Sequence, residues 1–123
     1  MKVTGRHVLA EIHDCDMDLL KDLPKVEACV LDLIKENGMT VEDKAFCQFN
    51  SEGVSGVVII PKTNMTIHTW PAGRRATVDL FTCSEELDMM VQCRSLVEKL
   101  GASYMTAQSD TREIEVGALA FAV

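Results

Sequence analysis

The chain has 123 residues, 47% hydrophobic and 25% charged, with a formal net charge of −7. That length supports one domain with a buried core, expected to span residues 1–123, and the composition excludes a disordered chain. No cluster of Lys and Arg offsets that charge locally, Arg74-Arg75 being a pair and not a patch, which argues against a nucleic-acid partner because a phosphate backbone needs clustered cations.

In chain order, residues 7–12 (Val8, Leu9, Ala10 and Ile12 among them) predict a first strand, broken by Asp14-Cys15-Asp16. A looser turn follows around residues 17–23. Pro24 suits the first turn of a helix, Val26, Val30, Leu33 and Ile34 recur at helical spacing, and Asn37-Gly38 stops it, so a helix is predicted over 24–37. The period then shortens. Residues 45–49, 53–60, 65–70 and 75–83 read as strands of an antiparallel meander, separated by turn residues at 50–53, Pro61 and 71–73. Gly53 and Gly56 flank Ser55 and suggest a bend or bulge.

Ser84 is expected to cap a second helix with Glu85 and Glu86 in its first turn. Met89, Cys93, Leu96 and Leu100 mark its buried stripe, and Gly101 ends it. Residues 103–108 read as a strand and 114–123 as a terminal one. The order β-α-β-β-β-β-α-β predicts an α+β two-layer sandwich, a mainly antiparallel sheet with two helices on one face.

Five cysteines, Cys15, Cys29, Cys47, Cys83 and Cys93, are odd in number and lack C-x-x-C spacing. Neither a disulfide framework nor a metal site is expected, and a reducing compartment follows. The start Met1-Lys2-Val3 runs into polar residues, and no run approaches the ~20 apolar residues of a membrane span. A cytoplasmic chain without a membrane partner is the expectation.

Taken singly, the residues with chemical potential have ordinary readings. His68 reads as a hydrogen-bonded structural residue, Cys83 as a small buried hydrophobe, and Ser55 as a turn residue. Trp70 reads as a core or interface anchor. Phe46 and Phe49 break alternation and need not share a face. His7 and His13 suit the surface or a strand edge. Thr63 reads as a loop or strand-start residue beside a turn-forming Asn64.

The segments Thr66-Ile-His-Thr-Trp-Pro71 and Asp79-Leu-Phe-Thr-Cys83 are far more specific. With Gly5-Arg6-His7-Val8, the stretch from Gly53, and Gly101-Ala102, the chain resembles the small prokaryotic S-adenosylmethionine decarboxylases over most of its length. The resemblance implies their sandwich fold and polyamine (spermidine) biosynthesis. It implies a pyruvoyl group made when a serine hydroxyl attacks the preceding carbonyl and the chain is cut. By position, Thr63 would be that residue, Ser55 and His68 would assist processing, Cys83 would return a proton to the substrate, and Phe49 would pack against the adenine.

The chain departs from the family at the cut. Lys62-Thr63-Asn64 stands where the family reads Glu-Ser-His, and Ala72-Gly73-Arg74 where relatives carry Glu-Tyr-Gly. Threonine keeps a β-hydroxyl but adds a methyl that stiffens χ1, and its product would be a 2-oxobutyryl group in place of pyruvoyl. Three outcomes stay open: a decarboxylase of S-adenosylmethionine, a decarboxylase of another amino acid, and an uncleaved, cofactor-free homologue that binds a ligand or regulates a partner subunit. A separate Cys83–His68 nucleophile–base pair is a weaker alternative. By resemblance the chain is expected to form a homodimer or to pair with a paralogous subunit. The apolar run at 116–123 adds modest support.

Overall fold

The computed structural model describes residues 1–49 and 52–117. Six antiparallel strands form one sheet: β1 (Lys2–His13), β2 (Asp43–Phe49), β3 (Gly53–Ile60), β4 (Thr63–Trp70), β5 (Arg75–Thr82) and β6 (Tyr104–Glu115). Their spatial order is β2-β3-β4-β5-β1-β6. Three helices, α1 (Met17–Leu20), α2 (Leu23–Glu36) and α3 (Met89–Lys99), complete the α+β two-layer arrangement.

The layering follows from the twofold alternation of strand side chains. Val8, Ala10 and Ile12 of β1, Val54, Val58 and Ile60 of β3, Met65 and Ile67 of β4, and Val78 and Leu80 of β5 are buried. They form one core with Val26, Val30, Leu33 and Ile34 of α2 and Cys93 and Leu96 of α3. The intervening residues form an open sheet face without helices among the described residues: Ser55, His68, Trp70, Thr77, Asp79 and Phe81 all lie on it.

Thr69 joins the layers. It is fully buried, accepts from the Val54 N–H at 2.8 Å and donates to the Leu20 carbonyl at 2.8 Å. Thr69→Val keeps the shape and strands both backbone groups, so a loss of about 1–3 kcal/mol is expected. Urea unfolding of the variant checks this; an unchanged midpoint would remove Thr69 from the account.

Several elements differ from the sequence expectation. The first strand is longer, because β1 pairs with β6 along its whole length from Lys2↔Glu115 to His13↔Tyr104. For the same reason the two terminal strands are one, and Ile114 belongs to it; residues 118–123 of the proposed apolar tail lie outside the described residues. The turn after Cys15 closes into the short α1, capped by Asp16, whose carboxylate accepts from the Asp18 and Leu19 N–H groups. Helix α3 starts at Met89 with Asp88 as its cap, accepting from Met90 and Val91. Ser84 does not cap it: its N–H donates to the Thr82 hydroxyl at 3.0 Å and its carbonyl accepts from Arg6. Glu85 and Glu86 therefore precede the helix.

Gly56 marks no bulge, since β3 pairs regularly there with both neighbours; Gly53 and Val54 pair with β2 alone, and the regular pairing with β4 begins at Ser55. Both glycines make room for aromatic rings. Phe49 lies opposite Gly53 and Phe46 opposite Gly56, and a Cβ on either glycine would sit within 2.5 Å of the facing ring. His13 is not at an edge. It is 8% exposed on the interior strand β1, stacks on Tyr104, and its Nε2 lies 3.0 Å from the Thr106 hydroxyl. His7 packs its ring against Phe81.

Candidate active site

The hairpin between β3 and β4 has a two-residue loop, Pro61-Lys62, closed by the pair Ile60↔Thr63. Proline is locked near φ −65°, so the left-handed residue of this tight turn falls on Lys62, at φ +62°. A non-glycine residue there stores about 1 kcal/mol. The carbonyl of Lys62 accepts from the Cys83 N–H at 3.0 Å and lies 3.5 Å from the Cys83 thiol. The bond after this strained residue thus has a polarised carbonyl.

Thr63 opens β4, and Asn64 is a strand residue with no turn role. Thr63 is only 6% exposed, and its hydroxyl lies 2.8 Å from that of Thr82, the residue opposite it on β5. Both face the helix layer. In any threonine the hydroxyl reaches the preceding carbonyl through a five-membered ring. Here the carbonyl, its donor and the hydroxyl are held by consecutive residues, Thr82 and Cys83.

A second cluster lies on the open face. Ser55 and His68 pair across β3 and β4, with Oγ 2.8 Å from Nδ1. The His68 ring stacks near Trp70 at 6.3 Å, and Phe49 meets Trp70 edge-on at 5.6 Å. A cavity of about 310 Å³ adjoins them, lined by Phe49, Glu52, Gly53, Trp70, Pro71 and Ala72, among others. Glu52 is the one carboxylate in that lining. Trp70 is 48% exposed, so it is no core anchor. Phe46 packs toward the core while Phe49 faces the open side.

The two clusters do not meet within one chain. His68 is five residues beyond Thr63 on one strand, an odd spacing that puts them on opposite faces, about 16 Å apart along the strand. The Cys83 thiol lies against the Lys62 carbonyl and His68 against Ser55, so the contacts give no Cys83–His68 pair.

The cysteines divide by environment. Burial pushes the Cys15 and Cys93 thiols up to about 11 and moves Cys29 the same way. Such thiols stay protonated and inert. Cys83 is half-buried and Cys47 exposed, the latter opposite Ser55 on the open face. Among the described residues no group of three His, Cys, Asp or Glu is placed to hold a metal ion, and no helix is long and apolar enough to cross a membrane.

Sequence reasoning missed Thr82 and Glu52. Thr82 could have been found by continuing the pairing outward from the turn at 71–74, which sets Trp70 opposite Arg75 and so Thr63 opposite Thr82.

Comparisons with known proteins converge on one family. A family model described as S-adenosylmethionine decarboxylase matches residues 6–113. The S-adenosylmethionine decarboxylase proenzyme of Pelotomaculum thermopropionicum is 44% identical over 114 residues, covering 93% of this chain and 90% of that protein. The proenzyme of Clostridium tetani is 42% identical over 114 residues, with the same 93% and 90% coverage. Among solved structures, the adenosylmethionine decarboxylase from Aquifex aeolicus superposes with a TM-score of 0.78 at 25% identity, covering 89% of this chain and 91% of that one.

Proposed function

Because the chain belongs to the S-adenosylmethionine decarboxylase family, we propose that it is a self-processing decarboxylase of polyamine synthesis. It opens its own backbone between Lys62 and Thr63 and acts on S-adenosylmethionine or an amino acid of similar shape. The observation that carries this reading is the Lys62 carbonyl, held in a left-handed turn by the Cys83 N–H beside the buried Thr63 hydroxyl.

The chemistry balances with this chain's own groups. The Thr63 hydroxyl adds to the Lys62 carbonyl carbon, and the Thr63 nitrogen leaves with a proton, turning the amide into an ester. The Cys83 N–H stabilises the charge on the Lys62 oxygen as it forms. Loss of the Thr63 α-proton then expels the ester carboxylate, so Lys62 becomes a new C-terminus. Uptake of water and release of ammonia leave a 2-oxobutyryl group at residue 63. The surroundings suit such a group: position 63 is enclosed and faces the Thr82 hydroxyl, with no carboxylate among its hydrogen-bond partners in the described residues. When present, that ketone supplies the electron sink for loss of carbon dioxide.

Cys83, half-exposed at the end of the sheet, is suited to return a proton to the substrate. Phe49 and Trp70 offer an aromatic wall for a flat or cationic ligand. Ser55 and His68 cannot reach Thr63 of their own chain, so we assign them to the site of a second copy or a paralogous subunit laid on the open face. Sedimentation of the purified protein as a monomer would end that part of the reading. A cytoplasmic location is part of the same proposal.

One observation favours a second reading, an uncleaved homologue that binds a ligand or regulates a partner. Thr63 is β-branched, and its hydroxyl is tied to Thr82 on the face opposite His68. Intact-mass measurement of the purified protein separates the two. Two fragments meeting between Lys62 and Thr63, with ammonia lost, are expected. A single full-length species that releases no carbon dioxide from S-adenosylmethionine overturns self-processing and leaves the second reading.

A further inference from the structure

We propose that Thr82 is a positioning residue that holds the Thr63 hydroxyl back from the Lys62 carbonyl and so sets the pace of maturation. The inference rests on the self-processing reading but has a readout independent of it. Thr82 is fully buried, and its hydroxyl has two partners: the Ser84 N–H at 3.0 Å and the Thr63 hydroxyl at 2.8 Å. The Ser84 N–H can only donate, so the Thr82 oxygen accepts there. Among the described residues its own proton then has one hydrogen-bond partner, the Thr63 oxygen. The reverse direction, Thr63 donating to Thr82, would leave the proton of fully buried Thr82 without a partner, whereas Thr63, 6% exposed and lining a cavity of about 280 Å³, can turn its own proton to water.

The direction of that hydrogen bond has a chemical consequence. A donated proton occupies a lone pair of Thr63 Oγ1 and lowers its nucleophilicity, and Thr82 is not free to take the Thr63 proton as a base. It also fixes the side chain toward the helix layer, on the face opposite Ser55 and His68. A serine at position 63 could swing away at little cost. Threonine cannot do so easily, because its methyl group restricts χ1. The lock is therefore a property of the Thr63–Thr82 pair.

The test compares wild type, Thr82→Val and Thr82→Ser, each with Thr63→Ala as a non-cleaving control, by intact mass over time after refolding. Thr82→Val keeps shape and removes the donor. It should speed cleavage at least about fivefold, the factor matching one neutral hydrogen bond of typical net strength, or start cleavage if wild type stays whole. Thr82→Ser keeps the donor and should follow wild type. Thermal melting shows that the variants are folded.

An unchanged or slower rate in folded Thr82→Val overturns the proposal. If every chain stays whole, self-processing fails and the lock is judged by NMR alone. A slowly exchanging Thr82 hydroxyl proton close to the Thr63 methyl supports it, and the lack of one overturns it.

Discussion

Thr63→Ser should speed cleavage at the Lys62–Thr63 bond by about 100-fold, the scale on which small misplacements of a reacting group act. Serine removes the methyl that crowds approach to the Lys62 carbonyl and frees χ1. What the acyl shift needs stays in place: the left-handed Lys62 and its carbonyl at 3.0 Å from the Cys83 nitrogen. Timed intact-mass spectra after refolding provide the measurement, with Thr63→Ala expected to stay whole. If the serine variant matures no faster than wild type, the obstacle lies in Lys62 or Asn64, and the steric account of position 63 is wrong.

The second large effect is on the fold. Gly53→Ala is expected to destabilise the protein by about 1–3 kcal/mol, the usual range for overpacking. A Cβ on Gly53 would lie 2.5 Å from the Phe49 ring and 2.6 Å from the Thr69 carbonyl oxygen. The ring can swing aside, but the carbonyl cannot. It belongs to the buried residue whose hydroxyl ties β3 to the chain around α1. Moving Phe49 also breaks its contact with Trp70, so ligand binding at that wall should weaken together with stability. Gly73→Ala is the control, because a Cβ there meets nothing within 4 Å. Urea denaturation of the two variants makes the comparison, and equal midpoints would refute the close-approach argument for Gly53.

Because Phe49 also sits in the cavity with Glu52, the same variant links fold and site. Glu52 is the one carboxylate in a lining that also holds Ala72 and Gly73.

Local chemistry was enough for α2. Pro24, the buried stripe Val26, Val30, Leu33 and Ile34, and Gly38 at φ +71° settle its face and end within a few residues of one another. The four meander strands were legible for a similar reason: each is a short run between turn residues, β-branched in β3, β4 and β5 and carrying two phenylalanines in β2, and neighbours in sequence are neighbours in the sheet. Residue types at the candidate site were legible too, since a hydroxyl at 63, a thiol at 83 and an imidazole at 68 are plain in the chain.

Tertiary structure alone decided what those groups face. The start of α3 moved from Ser84 to Asp88 because the N–H and carbonyl of Ser84 are taken by Thr82 and Arg6, partners supplied by the sheet. The full length of β6 depends on β1, about a hundred residues away, offering its free edge. The glycines of β3 had no local explanation because the rings that need their space arrive from β2. Above all, the Thr63 hydroxyl meets Thr82 and not His68, since strand register brings 63 opposite 82 while the odd spacing from 63 to 68 turns the imidazole to the other face. Short-range propensity carries the elements; which side chains touch depends on pairing between distant strands, and no local preference encodes that.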